Sequence, residues 1–401
     1  MNTRLWVVAL LLVAFAAAIV GSTLHGVAFQ AQADEGVYLH YATRIAQEGL
    51  PAFPGLFQDF LEHAANRQYF PSPLRLFTIL LGAAAVFLGG PTFGSLQLLS
   101  LLSFLALLVL VFTQVRRAID ESAATWTTLL LAVSPLHLAM ARRALADSLI
   151  ATLLVASLCL LIRTWTAEKP KAAQWWAVSG AYLVTFLTKE GTTLLVPISL
   201  AFLGWRAIYQ RRRPSLLSLC AVSLVPLVGA LLLVSLAAGS FATAWRTLVL
   251  TVRSAQTNTY ALQYGAGPWF RYLIDYLLLS PWTTLLYLMW LGVLVGARVR
   301  NEWVWAWALI PVLFLGLSSP VTKNVRYALV LETPMRLSAV LLIKHLADQK
   351  GKGRWALLKV ALPILAFAWM DLVTFTRFFV TQGIYDPVSF VLLSAHRFLP
   401  K

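Results

Sequence analysis

Acids and bases stand close together at several places in an otherwise apolar chain. Asp34-Glu35 open a stretch that continues through Gly36-Val37-Tyr38 in a helix-like run to Gly49. Ser134-Pro135-Leu136-His137 leads through Ala141-Arg142-Arg143 to Asp147. Thr188-Lys189-Glu190-Gly191 interrupts two apolar runs. Gly265-Ala266-Gly267-Pro268-Trp269-Phe270-Arg271-Tyr272 and Lys323-Asn324-Val325-Arg326-Tyr327 each set a basic residue beside aromatics. Ionisable groups near hydrocarbon are costly and usually functional. Each place also has a plain structural reading. Asp34 is placed to cap the helix after it, with Glu35 near its positive end, and Asp147 to cap a helix after a tight turn. His137 reads as a packed polar side chain. Lys189 either snorkels to the membrane interface or supplies a point charge for phosphate. Interfacial aromatic belts account for the tryptophans and tyrosines but not for the repeated Arg-Tyr dipeptides.

The elements that must carry these residues are membrane helices. Of 401 residues 59% are hydrophobic and 12% charged, against about 25% charged in soluble domains. A spanning helix needs roughly 20 apolar residues. Such runs lie at approximately 5–24, 96–114, 123–140, 147–163, 175–189, 192–209, 216–237, 277–297, 302–318, 333–347 and 355–372. The expectation is an all-α polytopic membrane protein of about eleven spans in one domain over residues 1–401, with an uncleaved first helix. Loops rich in Lys and Arg face the cytoplasm. With Arg4 inside, the alternation of basic loops is self-consistent only if residues 73–89 do not fully cross, so that stretch is read as interfacial or re-entrant.

This topology gathers residues 25–95, 239–276 and 319–332 outside, with the tail from Asp371 through 373–401 and the 140–147 and 188–191 corners. Most of the 16 carboxylates lie there, including Glu332 and Asp371. Residues 38–70 and 241–262 read as amphipathic interfacial helices. The net charge of +16 is scattered among apolar runs, which argues against nucleic acid. Anionic lipid at the cytoplasmic face and a phosphate site are the better explanations. Cys159 and Cys220 both lie in apolar runs, so neither a disulfide nor a metal site is suggested.

Taken in order, these stretches resemble the GT-C membrane glycosyltransferases, in the branch of the protein O-mannosyltransferases and lipid A aminoarabinose transferases. The resemblance rests on ADEGVYLHYATRIAQEGL with its acidic residue in the first external loop, the ARRALAD corner, the FLTKEG hairpin, GPWFRYLIDYLLLSPW and the KNVRY loop. It covers residues 34–327. The family often reads Lys-Gly after Leu-Thr, whereas here Glu190 intervenes before Gly191.

The resemblance implies a GT-C-like bundle with interfacial helices in the first external loop. It implies transfer of a sugar from a polyprenyl-phosphate lipid donor to a glycan, lipid or protein acceptor, on the external side of a bacterial inner membrane. Asp34 would be the catalytic carboxylate, with Asp147 positioning acceptor or a basic partner and Glu35 a further candidate. Lys189, Arg271, Lys323, Arg326 and Tyr327 would hold the donor phosphate. No cofactor is required, although a divalent cation (Mg or Mn) at Asp34 suits oxygen ligands. A polytopic transporter or lipid flippase is the alternative. Its polar site would lie nearer the bilayer midplane.

Overall fold

A computed structural model describes residues 3–25, 27–63, 71–209, 213–257, 267–296, 301–318, 323–349 and 356–386, with isolated positions between and beyond them. Arg298, Arg300, Lys350, Lys352, Arg354 and Ala266, as well as residues 64–70 of the first loop, lie outside the described residues. The fold is all-α, with no strand among the described residues. Five helices are long and apolar enough to cross a membrane among those residues, or six if one bent pair counts as a span. Shorter apolar helices run over Val7–Ser22, Leu76–Gly89, Pro281–Gly296 and Glu302–Leu317. The chain is an integral membrane protein. Its surface agrees, because Leu98, Leu102, Leu232, Leu236, Leu362 and Trp369 are all exposed, as lipid-facing side chains are.

Where one span was expected over 123–140, the structure has two helices, Glu121–Ala132 and Pro135–Ala141, bent by 59°. The cause is local. Pro135 has no N–H to continue the first helix, and it takes the first turn of the second, where the Ser134 side chain accepts from His137 N. The helix Phe93–Ala118 starts on a Thr92 cap, ends with Arg116 and Arg117 in its last turn, and forms the centre of the core with Phe104, Leu107, Leu108, Val111 and Phe112 fully enclosed.

The helix Asp34–Glu48 buries Tyr38, Tyr41, Ala42 and Ile45 on one face, as their spacing dictates. It packs on Leu76–Gly89, whose 14 residues extend about 21 Å, short of the roughly 30 Å hydrocarbon core. The approach is close at Gly82, where a Cβ would stand 3.2 Å from Ala42 Cβ and 3.3 Å from Leu96 Cδ2. The amphipathic helices Phe53–Glu62 and Phe241–Thr257 pack on each other beside this pair.

Glu332 and Asp371, expected among the outer loop acids, are instead enclosed in the bundle. Arg336 lies between them, bonded by Nε to Glu332 and by Nη1 to Asp371. Ser280 donates to the other Asp371 oxygen at 2.8 Å. A guanidinium with two carboxylates lets charge sit in a low-dielectric interior, where one partner alone would be costly. The group ties Glu332–Gln349 to Ala356–Thr374 and to the break before Pro281–Gly296.

Candidate active site

Segments distant in sequence converge at one end of the bundle. Asp34 is the first residue of its helix, and Asp147 is the first residue of Asp147–Thr166. Both carboxylates therefore sit at positive helix ends. Lys189 is extended at the start of a 3-10 turn over Glu190–Leu194. Arg326 and Tyr327 lie in a second such turn, Val325–Leu331, which Asn324 opens by accepting from Arg326 N.

The side chains meet. Arg326 Nη2 donates to Asp34 Oδ2 at 2.5 Å, and Arg326 Nη1 stands 3.8 Å from Asp147. Lys189 Nζ is 3.6 Å from the other Asp147 oxygen and 3.6 Å from the centre of the Tyr327 ring. Their side chains keep a little exposure: 19% for Arg326, 21% for Asp34 and 14% for Lys189. They are therefore not sealed in the core.

The electrostatics follow. Burial works against the charged form of Asp34, but Arg326, backed by Arg75 and Lys189, outweighs it and holds the carboxyl below its ordinary value. Burial likewise opposes the Arg326 charge, and Asp34, with Tyr327 and Asp147, more than restores it. The Tyr327 phenol, although buried, is lowered by Arg326 and Lys189.

Sequence reasoning missed Arg75, Tyr38 and Ser72. Arg75 makes a two-pronged ion pair with Glu190, with Nε and Nη2 each 3.0 Å from Oε2, and its Nη1 donates to the Tyr38 hydroxyl. Ser72 donates to the other Glu190 oxygen. The available signal was an arginine at the mouth of the apolar 73–89 stretch. Glu190, which stands between Lys189 and Gly191 in the hairpin, is thus committed to Arg75 and Ser72.

Other expected residues go elsewhere. Glu35 is buried against Arg143, accepting from its Nε at 2.8 Å and from Ala144 N at 3.0 Å. It joins the first loop to the Arg142-Arg143 corner and does not enter the Asp34 group. Arg142 donates to the carbonyls of Thr23 and Phe379, so it ties the end of the first helix to the Phe375–Thr381 turn. His137 stacks on Phe104 at 5.3 Å, a packing role. Arg271 is buried 3.9 Å from Asp386, and Lys323 lies within electrostatic reach of it. Tyr272 connects this second basic group to the first, since it is within reach of both Arg271 and Tyr327.

The residues at Asp34 do not fit a divalent cation. Arg326 holds its carboxylate, Lys189 and Arg326 flank Asp147, and no three His, Cys, Asp or Glu side chains converge among the described residues. What remains is a carboxylate able to accept a proton and cations set around it, in a site largely withdrawn from water, where such charges act strongly.

The profile of the dolichyl-phosphate-mannose-protein mannosyltransferase family matches residues 72–236, a stretch that includes Ser72, Arg75, Asp147, Lys189 and Glu190 but neither Asp34 nor Arg326. No curated protein matches the sequence. Among solved structures, the chain resembles ArnT from Cupriavidus metallidurans bound to undecaprenyl phosphate, with 18% identity, 98% of this chain and 75% of that one covered, and a TM-score of 0.54. It also resembles the Archaeoglobus fulgidus oligosaccharyltransferase in the apo form, with 11% identity, 94% and 56% covered, and a TM-score of 0.59. The same enzyme tethered with an acceptor peptide gives 12% identity, 98% and 55% covered, and a TM-score of 0.58. The chain spans little more than half the length of that oligosaccharyltransferase. At these identities the likeness is one of fold, and the fold is that of the GT-C membrane glycosyltransferases.

Proposed function

We propose that this chain of GT-C fold is a glycosyltransferase that moves a sugar from a polyprenyl-phosphate donor to an acceptor hydroxyl, with inversion, on the external face of a bacterial inner membrane. The observation that carries the reading is the meeting of Asp34, Asp147, Lys189, Arg326 and Tyr327 from four separate segments, with the two acids and two cations in contact within 3.8 Å. The fold shared with a protein bound to undecaprenyl phosphate supports the lipid-phosphate donor.

The chemistry asks little of an acid catalyst, because a phosphate leaves readily. The acceptor oxygen attacks the anomeric carbon from the face opposite the phosphate. Asp34 takes the hydroxyl proton as that bond forms. The bond from the anomeric carbon to the phosphate oxygen breaks, and the electron pair leaves with polyprenyl phosphate. Lys189 and Arg326 stabilise the charge that develops there, with Tyr327 below the ammonium and Arg271 and Lys323 extending the positive surface. Asp147 holds both cations in place. Before donor arrives, Arg326 occupies Asp34. A phosphate between Lys189 and Arg326 draws the guanidinium away and frees the carboxylate, so donor binds before acceptor reacts.

The test is purified protein in lipid nanodiscs with radiolabelled polyprenyl-phosphate sugars and an envelope extract holding glycan, lipid and protein acceptors. Transfer or slow hydrolysis of one donor, lost in Asp34→Asn while the protein stays folded, supports the reading. If no donor is turned over or raises thermal stability, the reading fails and a transporter becomes the better description.

A further inference from the structure

The Arg75–Glu190 pair is used neither as base nor as phosphate seat, yet it borders both. Asp34 and Lys189 feel the Arg75 charge, and Tyr38 is within reach of Asp34 and Asp147. The pair is not needed to join its two segments. Phe77 N donates to Leu187 O at 2.9 Å and Thr78 Oγ1 to Thr188 O at 2.9 Å, which already seam the 71–78 stretch to the hairpin. A buried ion pair adds little stability beyond such a seam. Nor is it sealed, since its side chains keep 14% and 20% exposure, like those of Asp34 and Lys189 beside it.

Distance separates it from the phosphate seat. Lys189 Nζ and Arg326 Nη1 approach Asp147 only at 3.6 and 3.8 Å, beyond hydrogen-bond length, so these donors remain available to an anion. Arg326 Nη2 is held by Asp34 through a single bond. Arg75 is closed on Glu190 at 3.0 Å through two nitrogens, and the carboxylate repels an anion there. What the pair has left is neutral recognition capacity. A guanidinium carries five N–H donors. Nε and Nη2 reach Glu190 and Nη1 reaches Tyr38, which leaves one hydrogen on each terminal nitrogen. Glu190 accepts from Ser72, from two Arg75 nitrogens and from its own backbone N–H, which fills the roughly four directions a carboxylate offers and fixes the guanidinium in place. The two remaining Arg75 hydrogens, held on a rigid wall, match the oxygens of adjacent sugar hydroxyls.

We propose that Glu190 and Arg75, braced by Ser72 and Tyr38, form the wall that reads the hydroxyls of the transferred sugar and so determine which donor is used. This rests on the transferase reading above. Glu190 and Arg75 act by selecting a sugar and take no part in bond making.

The experiment measures kcat and KM for release of polyprenyl phosphate, using the best natural donor and its single-deoxy analogues. Wild type, Glu190→Gln and Ser72→Ala are compared in nanodiscs. Wild type is expected to disfavour one deoxy analogue by about 100-fold or more, because a site built to bond a hydroxyl rejects its absence. In Glu190→Gln that ratio falls at least tenfold, since the natural donor loses and the analogue barely changes. Ser72→Ala removes only one hydroxyl and gives a smaller fall in the same ratio, which serves if Glu190→Gln does not fold. An equal slowing of every donor by either variant, with the ratio unchanged, overturns the proposal and leaves a structural pair. A wild type that rejects no deoxy analogue overturns it as well. A wild type that turns over no donor removes the transferase reading, and this one with it.

Discussion

Asp34→Asn separates chemistry from stability, because the structure sets different magnitudes for the two. As a proton acceptor, the carboxylate contributes about 10²–10⁴ to the rate, or about 3–5.5 kcal/mol of barrier at 1.36 kcal/mol per decade. For stability, the 2.5 Å bond from Arg326 becomes a bond to an amide oxygen, and Asp147 at 3.8 Å still faces the guanidinium. With both side chains about a fifth exposed, the loss is that of charge assistance on one bond, about 1–2 kcal/mol. A protein of ordinary stability survives that. The assay is donor turnover in nanodiscs beside a thermal melt. Turnover is expected to fall by at least 100-fold, with a melting shift of a few degrees. Turnover within fivefold of wild type refutes Asp34 as the base. A collapse of the melt in step with activity refutes the separation of roles.

Glu35→Ala removes the carboxylate partner of buried Arg143 and leaves it only Tyr385, so the melt is expected to drop by the equivalent of about 3 kcal/mol while kcat of the folded fraction stays within about fivefold. A loss of kcat in folded protein would return Glu35 to the reaction. Lys189→Met removes the donor proposed for the leaving phosphate and is expected to lower kcat/KM for donor by about 100-fold, whereas unchanged donor kinetics would place the phosphate elsewhere. Arg336→Met strands Glu332 and Asp371. It is expected to destabilise the bundle by about 3–5 kcal/mol, with part of the loss recovered on adding Asp371→Asn, and no recovery would mean the arginine acts by packing. The Asp34 carboxyl is depressed by Arg326 against the effect of burial. Its stabilising contribution is therefore fully present above the unfolded value of about 3.9 and is lost as pH falls through the lower folded value. A melt-versus-pH series should show this acid limb in wild type and not in Asp34→Asn, and identical limbs would show that the pair does not form.

The membrane class and the all-α fold were legible in the chain before any coordinates, because runs of apolar residues need bilayer or protein around them. Asp34, Asp147, Lys189, Arg326 and Tyr327 stood out as charges and aromatics at the ends of such runs, and the resemblance grouped them; the fold brings their side chains together. The broken helix at Pro135 was present in the residues but hidden by their hydropathy, which does not register a missing N–H. What tertiary structure alone decided is pairing. Asp34 and Glu35 are neighbours, yet their side chains leave the helix about 100° apart, so one meets Arg326 and the other Arg143. Arg75 looked like the edge of an apolar stretch until the fold set it on Glu190. Glu332 and Asp371 looked like loop acids until Arg336 appeared between them. Sequence shows that a charge needs a partner, but which partner depends on distances between segments that only folding brings together.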